Sequence, residues 1–575
     1  MAKTVLTIAI DFGTAYSGYH VKCNTPGKGA QFRDVQWGEE YGIRSCKTPT
    51  CALFDNTDHF VDFGYAAMKK YTSKGFQDGY FFENFKMDLY KNKVIQSDLQ
   101  VTATNGKQMP AMTVFTESLR YLKDHVLRKV ENFSKVTKLR NSDITWVLTV
   151  PAIWSNAAKQ FMRDVAIKAG LVTDSDPERL ILALEPEAAA IYCKELPSDG
   201  FVGGEEDTMR LDQMPGTQYI VADCGGGTID ITLHEVLDGG ALKEVSKASG
   251  NDLGGQNIDR QLKSFLKEIF GDEVWKEYET RHAPELQKLL YEFAFAKCAD
   301  ENDGYSFPCQ YNLIEIVKEK HGNKTVQELL KGHPGVTWND GSIDISAAKF
   351  RSFFDESLRG IAGVLRDFLK NQELHIRYLV MVGGFAMSKI LQNYIKHQFG
   401  NTCEVLCPQH PQQAIMVGAA DFGSQPEIVQ SRISALTYGV DTSKWFNETK
   451  HKIEKKYTNC DGEEFCKDLF KRLVRKGESV GYNETRNFTF HPVTREQKEM
   501  AFTFYSTDRP NAIYIDEWGV DEMATMIVPL PNPSGPRLDR EVRLDLKFGF
   551  TEIIAIATDL KSNKSERIIL HFMRE

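Results

Sequence analysis

The sequence predicts an α/β protein of two related half-domains followed by a β-rich domain, and three observations carry that prediction. Up to about residue 420, short β-branched runs alternate with amphipathic helical stretches. One strand-turn-strand motif occurs twice, about 210 residues apart. Beyond about Gly423 the texture changes to alternating apolar and polar runs separated by Gly, Pro, Asn and Asp turns. The 575 residues suit three or more folding units of roughly 100–200 residues each.

Taken in chain order, continuous apolar runs mark buried central strands at Thr4 to Ile10, Trp146 to Val150, Tyr219 to Ala222 and Tyr378 to Val382. A helix is predicted over Met112 to Phe133, because Phe115, Leu119, Leu122, Val126 and Val130 recur at three- and four-residue steps. In the last domain, strands are expected at Ala501 to Tyr505, Ala512 to Ile515, Val542 to Leu546, Ile553 to Ala557 and Arg567 to Phe572. The charged stretch Lys444 to Lys476, with its lysine-rich Lys450 to Lys456, reads as a solvated insertion rather than a binding patch. The expected organisation is residues 1–425, a linker at 426–434, and a β-sandwich-like domain at 435–575.

Composition narrows the function. With 42% hydrophobic and 26% charged residues the chain is globular, and its net charge of −9 disfavours broad capture of nucleic acid or anionic membrane. Any bound anion is held locally. No stretch approaches the roughly 18 apolar residues of a membrane span, and Val5 to Ile10 is too short for a signal segment. The eleven cysteines form no C-x-x-C pair and read as reduced thiols of a cytoplasmic protein. Cys403 with Cys407 and Cys460 with Cys466 are the closest pairs, and with His410 alone nearby they are not expected to hold a metal.

The repeat is the strongest signal. Ile8-Ala9-Ile10-Asp11-Phe12-Gly13-Thr14-Ala15-Tyr16-Ser17-Gly18 is echoed by Ile220-Val221-Ala222-Asp223-Cys224-Gly225-Gly226-Gly227-Thr228-Ile229-Asp230. Glycines in such turns are expected to take positive φ and to approach a ligand closely, so that successive N–H groups nest around phosphate oxygens. An Asp at the strand end has the phosphate's own sign, and its use is to hold a hydrated Mg²⁺. No G-x-x-x-x-G-K-[ST] occurs, so the site is not of the Walker type.

With these loops stand Thr149-Val150-Pro151-Ala152, Leu184-Glu185-Pro186-Glu187-Ala188-Ala189-Ala190, Leu253-Gly254-Gly255-Gln256-Asn257-Ile258-Asp259, Val382-Gly383-Gly384-Phe385 and Val417-Gly418-Ala419-Ala420. In this order they resemble the two-lobed, actin-like ATPase domain of the heat-shock protein 70 family. The run Phe82-Glu83-Asn84-Phe85-Lys86-Met87 resembles the atypical branch called heat-shock 70 kDa protein 12.

The resemblance implies ATP or ADP with Mg²⁺. Asp11, Asp223 and Asp230 would face the ion. Gly13, Thr14, Ala15 and Tyr16, with Gly225, Gly226, Gly227 and Thr228, would cradle the phosphates. Lys86 and Glu185 would position the attacking water, a division suited to phosphoryl transfer. Gly254, Gly255, Lys297, Gly383 and Gly384 would line the nucleoside side. There the pattern departs: the family's Glu-x-x-Lys-Arg is Ala294-Phe295-Ala296-Lys297-Cys298, its Ser-Thr-Arg is Phe385-Ala386-Met387, and its Asp near the base is Gln412. The lost stack and charged hydrogen bonds imply roughly 2–5 kcal/mol of adenine affinity, with Phe295 and Phe385 as replacement stacking surfaces.

Leu436-Thr437-Tyr438-Gly439-Val440 and Glu541 to Phe572 resemble the opening and closing strands of the family's peptide-binding β-domain. The family's acidic linker is here Ile428-Val429-Gln430-Ser431-Arg432-Ile433, and no helical lid is expected before Glu575. Two readings follow: a chaperone-like ATPase with slow hydrolysis, or a nucleotide-responsive scaffold whose β-domain binds a protein partner. A sugar kinase is weaker, since the β-domain would be surplus.

Overall fold

In the computed structural model, residues 6–24, 35–73, 79–92, 95, 98–133, 140–173, 176–202, 211–298, 302–322, 324–531, 536–548 and 553–569 are described. The chain divides into two compact units, one of Met1–Val236 with Ala248–Pro426 and one of Leu237–Lys247 with Glu427–Glu575.

The first unit is mixed α/β, and two of its sheets share one plan. In one, the strands run in the order Leu180–Leu184, Ile144–Val150, Leu6–Phe12, Tyr16–Cys23, Thr48–Pro49. The first three are parallel to their neighbours, and Tyr16–Cys23 is antiparallel to Leu6–Phe12. In the other, Glu404–Leu406, Ile376–Val382 and Gln218–Cys224 are likewise parallel, and Ile229–Val236 is antiparallel to Gln218–Cys224. The central strands of both sheets are buried on both faces, which is why they read as unbroken apolar runs.

In each sheet the third parallel strand leads to a helix, Glu185–Glu195 in one and Ala414–Ser424 in the other. The two helices touch backbone to backbone, since a Cβ on Gly418 would lie 1.8 Å from the carbonyl oxygen of Ala188. The Ala188-Ala189-Ala190 and Gly418-Ala419-Ala420 runs are therefore contact surfaces made small for close approach. The helix expected over Met112 to Phe133 spans Ala111–Phe133, with its five periodic residues buried.

The four expected strands of this unit are all present and extend further than their apolar runs. They span Leu6–Phe12, Ile144–Val150, Gln218–Cys224 and Ile376–Val382. Thr4 and Val5 lie outside the described residues. The extension carries Asp11 and Asp223 into the ladders, opposite Gly18 and Asp230 respectively.

The second unit has a five-stranded sheet in the order Lys456–Thr458, Glu464–Val474, Thr437–Trp445, Glu499–Thr507, Val520–Pro529 and a four-stranded one, Thr485–Phe490, Val542–Phe548, Ile553–Asp559, Ser565–Ile569. Val440, Phe502, Phe504 and Val528 from the first and Leu544, Leu546, Ala555 and Ala557 from the second share one buried cluster.

Several expectations for this unit need correction. Lys444 to Lys476 is not a solvated insertion: Glu464–Val474 within it is a central strand, paired on both sides. Its charged residues disguise it: Lys467 is exposed, while Lys471 is half-buried, 4.0 Å above the Phe490 ring, and burial holds its ammonium below the usual range. Ala512 to Ile515 is not a strand and makes only the bridge Leu469↔Tyr514. Ile428 to Ile433, read as linker, contains the strand Val429–Ile433, bonded in parallel to Leu242 and antiparallel to Ser479–Gly481. Leu237–Lys247, placed by sequence in the first domain, groups with the second unit through that pairing. Residues 570–572 of the last expected strand lie outside the described residues.

Candidate functional site

The two repeat loops, on different sheets of the first unit, meet tip to tip. A Cβ on Gly226 would lie 2.6 Å from the Cβ of Ala15, and one on Gly227 would lie 2.8 Å from the Thr14 Oγ1 and 2.4 Å from the Met87 sulfur. Their registers match: Phe12 pairs with Ser17 and Cys224 with Ile229. The glycines serve closeness rather than handedness. Gly13, Gly225, Gly226 and Gly227 are not among the positive-φ residues, which corrects the expectation from sequence, and of the site glycines only Gly383 has positive φ, at 87°. A Cβ on Gly13 would collide with the Tyr16 carbonyl oxygen at 2.2 Å.

The second loop is held from behind by the turn at Gly254 and Gly255, which opens the helix Gln256–Phe270. The N–H groups of Gly255, Gln256 and Gly254 donate to the carbonyls of Gly225 (3.0 Å), Gly226 (2.8 Å) and Gly227 (3.2 Å). A trans peptide sets each carbonyl opposite the next N–H. Bonding three successive carbonyls to one side therefore turns the N–H groups of Gly226, Gly227 and Thr228 to the other, as an anion cradle requires. Gly254 and Gly255 thus shape the second loop with their own amide hydrogens already committed.

Beneath the loops lies a buried charge cluster. Lys86, only 2% exposed, donates to the Glu185 Oε1 at 2.8 Å, and its ammonium stands 5.1 Å over the Trp154 ring. Asp11 accepts from the Thr149 hydroxyl at 3.0 Å through Oδ1 and from the Lys47 ammonium at 2.5 Å through Oδ2. Asp230 accepts from the Ile153 N–H at 2.9 Å. Burial pushes the Glu185 carboxyl up to about 7 against the pull of Lys86, and burial followed by the neighbouring Glu185, Asp230 and Asp11 pushes Asp223 well up. Asp230 is raised by burial too.

Four carboxylates with two ammonium groups bonded to them, and Lys159 acting on Asp230 from further off, leave the cluster short of positive charge. The Asp223 Oδ1 and Asp230 Oδ2 atoms are buried with no hydrogen-bond partner among the described residues. Orphaned, desolvated carboxylate oxygens are what a hydrated divalent cation satisfies, so the residues present fit Mg²⁺. Among the described residues no three His, Cys, Asp or Glu side chains are placed to grip an ion directly. Water would have to bridge.

Among the residues expected to face a nucleoside, Lys297 is tied down: its ammonium bonds both Asp259 oxygens at 2.8 Å and the Gly255 carbonyl at 3.1 Å. Gly384 faces open space, whereas a Cβ on Gly383 would meet the Asp223 Oδ1 at 2.4 Å. Of the two replacement aromatics, Phe385 is buried at 6% exposure and packs toward Phe354, while Phe295 is 58% exposed, edge-on to Tyr291. Burial, with Tyr65, Tyr291 and Asp259 nearby, raises the Tyr16 phenol.

Sequence reasoning missed Lys47, Asp259 as the partner of Lys297, and the bond from Thr149 to Asp11. Thr149 and Asp259 lay inside quoted motifs. Lys47 had no local signal, for only the strand register brings it to Asp11.

A repeated Asp-x-Gly turn on two like-ordered sheets, closed over a buried lysine-carboxylate cluster, defines an actin-like ATPase fold, and the comparisons agree. The family model described as Hsp70 protein matches residues 60–304. The chain is 31% identical over 620 residues to "Heat shock 70 kDa protein 12A" of Homo sapiens, covering 99% of this chain and 92% of that protein. It is 30% identical to "Heat shock 70 kDa protein 12B" of Homo sapiens over 100% of this chain and 92% of that protein. "Chaperone protein DnaK" of Mycoplasmopsis synoviae (strain 53) is 25% identical over 59% of this chain and 49% of its own length. The chain belongs to the heat-shock protein 70 family, in its heat-shock 70 kDa protein 12 branch. Among the described residues no helix is long and apolar enough to cross a membrane.

Proposed function

We propose that the chain binds ATP and ADP with Mg²⁺ between two lobes of its first unit, and is a heat-shock-protein-70-like chaperone ATPase of slow turnover. The observation that carries this reading is the pair of loops closed tip to tip over Lys86, Glu185 and two carboxylates with orphaned oxygens. The N–H groups of Gly226, Gly227 and Thr228 and the turn Gly13–Tyr16 hold phosphate oxygens. Thr14 and Thr228, both buried, contribute hydroxyls. Asp223 and Asp230 hold a hydrated Mg²⁺, which when bound neutralises phosphate charge. Glu185, whose raised carboxyl titrates near neutrality, accepts a proton from the attacking water while Lys86 orients it. Gly383 and Gly384 pass beside the nucleoside, and Phe295 offers the exposed ring on which a base stacks. With Lys297 occupied by Asp259, adenine is weakly distinguished from guanine.

The second unit is read as a β-sandwich-like domain that takes a protein client or partner. Its exposed Trp518, at 88%, with Trp445, Ile513 and Ile527, supports that role. Eleven free cysteines support a cytoplasmic setting. A nucleotide-responsive scaffold is the second reading, favoured by the contact of Lys86 on Glu185, which commits the catalytic cation to a buried carboxylate.

Single-turnover hydrolysis by wild type and Lys86→Ala, with ATP and GTP titrations alongside, decides between them. Slow hydrolysis lost in the variant, with similar affinity for both nucleotides, is expected. Equal inertness with nucleotide still bound would leave the scaffold, and submicromolar binding strongly selective for ATP would remove the loosened base pocket.

A further inference from the structure

Lys47 has no role in the reading above, yet it is built into the site. It is almost fully buried and bonds the Asp11 Oδ2 at 2.5 Å. Its route there is specific. Asp11 lies opposite Gly18 in the antiparallel pair of Leu6–Phe12 with Tyr16–Cys23, and the next strand, Thr48–Pro49, pairs with Ser17 and Tyr16. Lys47 directly precedes that strand, so its stem crosses the place where Gly18 has no side chain. A Cβ on Gly18 would lie 2.9 Å from the Lys47 Cγ. The segment after it braces the first loop, with Thr50 donating its hydroxyl to the Gly13 carbonyl and its N–H to the Ala15 carbonyl, both at 2.8 Å. Lys47 is thus positioned as firmly as the loop itself.

The contact divides the four carboxylates. Glu185 is matched by Lys86 and Asp11 by Lys47, with Thr149 on the other Asp11 oxygen, while the orphaned oxygens belong to Asp223 and Asp230. We propose that Lys47 is a resident counter-cation of the phosphate site, neutralising Asp11 so that nucleotide binds with little dependence on Mg²⁺. Any ion is then anchored from the Asp223 and Asp230 side. The inference rests on the nucleotide-binding reading and deepens it: this site tolerates a metal-free nucleoside diphosphate.

Isothermal titration of ADP into the full chain, once with excess magnesium chloride and once with EDTA, tests it without any turnover. For wild type the two dissociation constants are expected to differ by less than about tenfold. Lys47→Met keeps the stem over Gly18 and removes the charge. One uncancelled negative charge a few ångströms from the phosphates, at an effective dielectric of about 20, is expected to widen that ratio by at least about tenfold, and Lys47→Arg restores it. A larger wild-type ratio overturns the proposal even if Lys47→Met fails to fold, and so does an unchanged ratio in a folded Lys47→Met. No ADP binding under either condition instead overturns the nucleotide reading itself, and this inference with it.

Discussion

The Lys86–Glu185 pair is predicted to cost the fold stability at neutral pH. Glu185 is 6% exposed, and burial lifts its carboxyl from 4.5 to about 7 in spite of Lys86 at 2.8 Å. A carboxyl whose folded pKa lies above its unfolded one holds its proton more tightly in the folded chain. Stability is therefore greatest below about 4.5 and is lost as pH rises through about 7. At about 1.36 kcal/mol per unit over about 2.5 units, the loss approaches about 3 kcal/mol. The double variant Lys86→Met, Glu185→Gln removes both buried charges together, so neither is stranded. Urea denaturation at about pH 5 and about pH 8 is expected to show the double variant gaining about 2–3 kcal/mol on wild type between the two conditions, while hydrolysis disappears. Parallel pH profiles for the two proteins would refute the reasoning.

Two more outcomes are expected. Gly226→Ala drives a methyl to within 2.6 Å of the Ala15 Cβ and parts the loops; ADP affinity is expected to fall at least about tenfold, with an unfolding change of only about 1 kcal/mol, so unchanged affinity would count against a site between the loops. His125, half-buried with its ring stacked 4.2 Å from Trp37 and its Nδ1 bonded to the Tyr19 hydroxyl, is held down to about 4 by burial and then by Lys129 and Arg128. Its contribution is present above about pH 6.5 and lost as pH falls to about 4, and about 2 kcal/mol remains after allowance for partial exposure. His125→Phe is expected to forfeit about 1 kcal/mol at pH 7 through the lost hydrogen bond and to flatten the acid limb of a stability profile by about 2 kcal/mol.

The first unit was legible because its signals are local. Ile8 to Ile10 and Ile220 to Ala222 are apolar on both faces, as a central parallel strand must be, and the Asp-x-Gly turns after them stand next to those runs in the chain. The second unit was less so. Glu464–Val474 hides a central strand because its buried residues fall in adjacent pairs, Phe465-Cys466, Leu469-Phe470 and Leu473-Val474, where register shifts against Thr437–Trp445 break the alternation, and because Lys471 covers apolar surface while counting as polar by type. The expected positive φ of the loop glycines was wrong, while the expected close approach holds toward protein: the Ala15, Thr14 and Tyr16 atoms against them leave no room for a Cβ.

Residue order was enough to establish the repeated unit and the family, and the resemblance of their motifs drew Asp11, Lys86, Glu185 and Asp223 into one expectation. It was silent on how the four carboxylates share two ammonium groups. That pairing depends on which side chains the strand register and the loop-to-loop contact bring within hydrogen-bond reach, across 36 residues for Lys47 and Asp11 and 99 for Lys86 and Glu185. Burial then sets the charge balance, because a carboxylate's cost depends on the water it loses, and folding alone determines that loss.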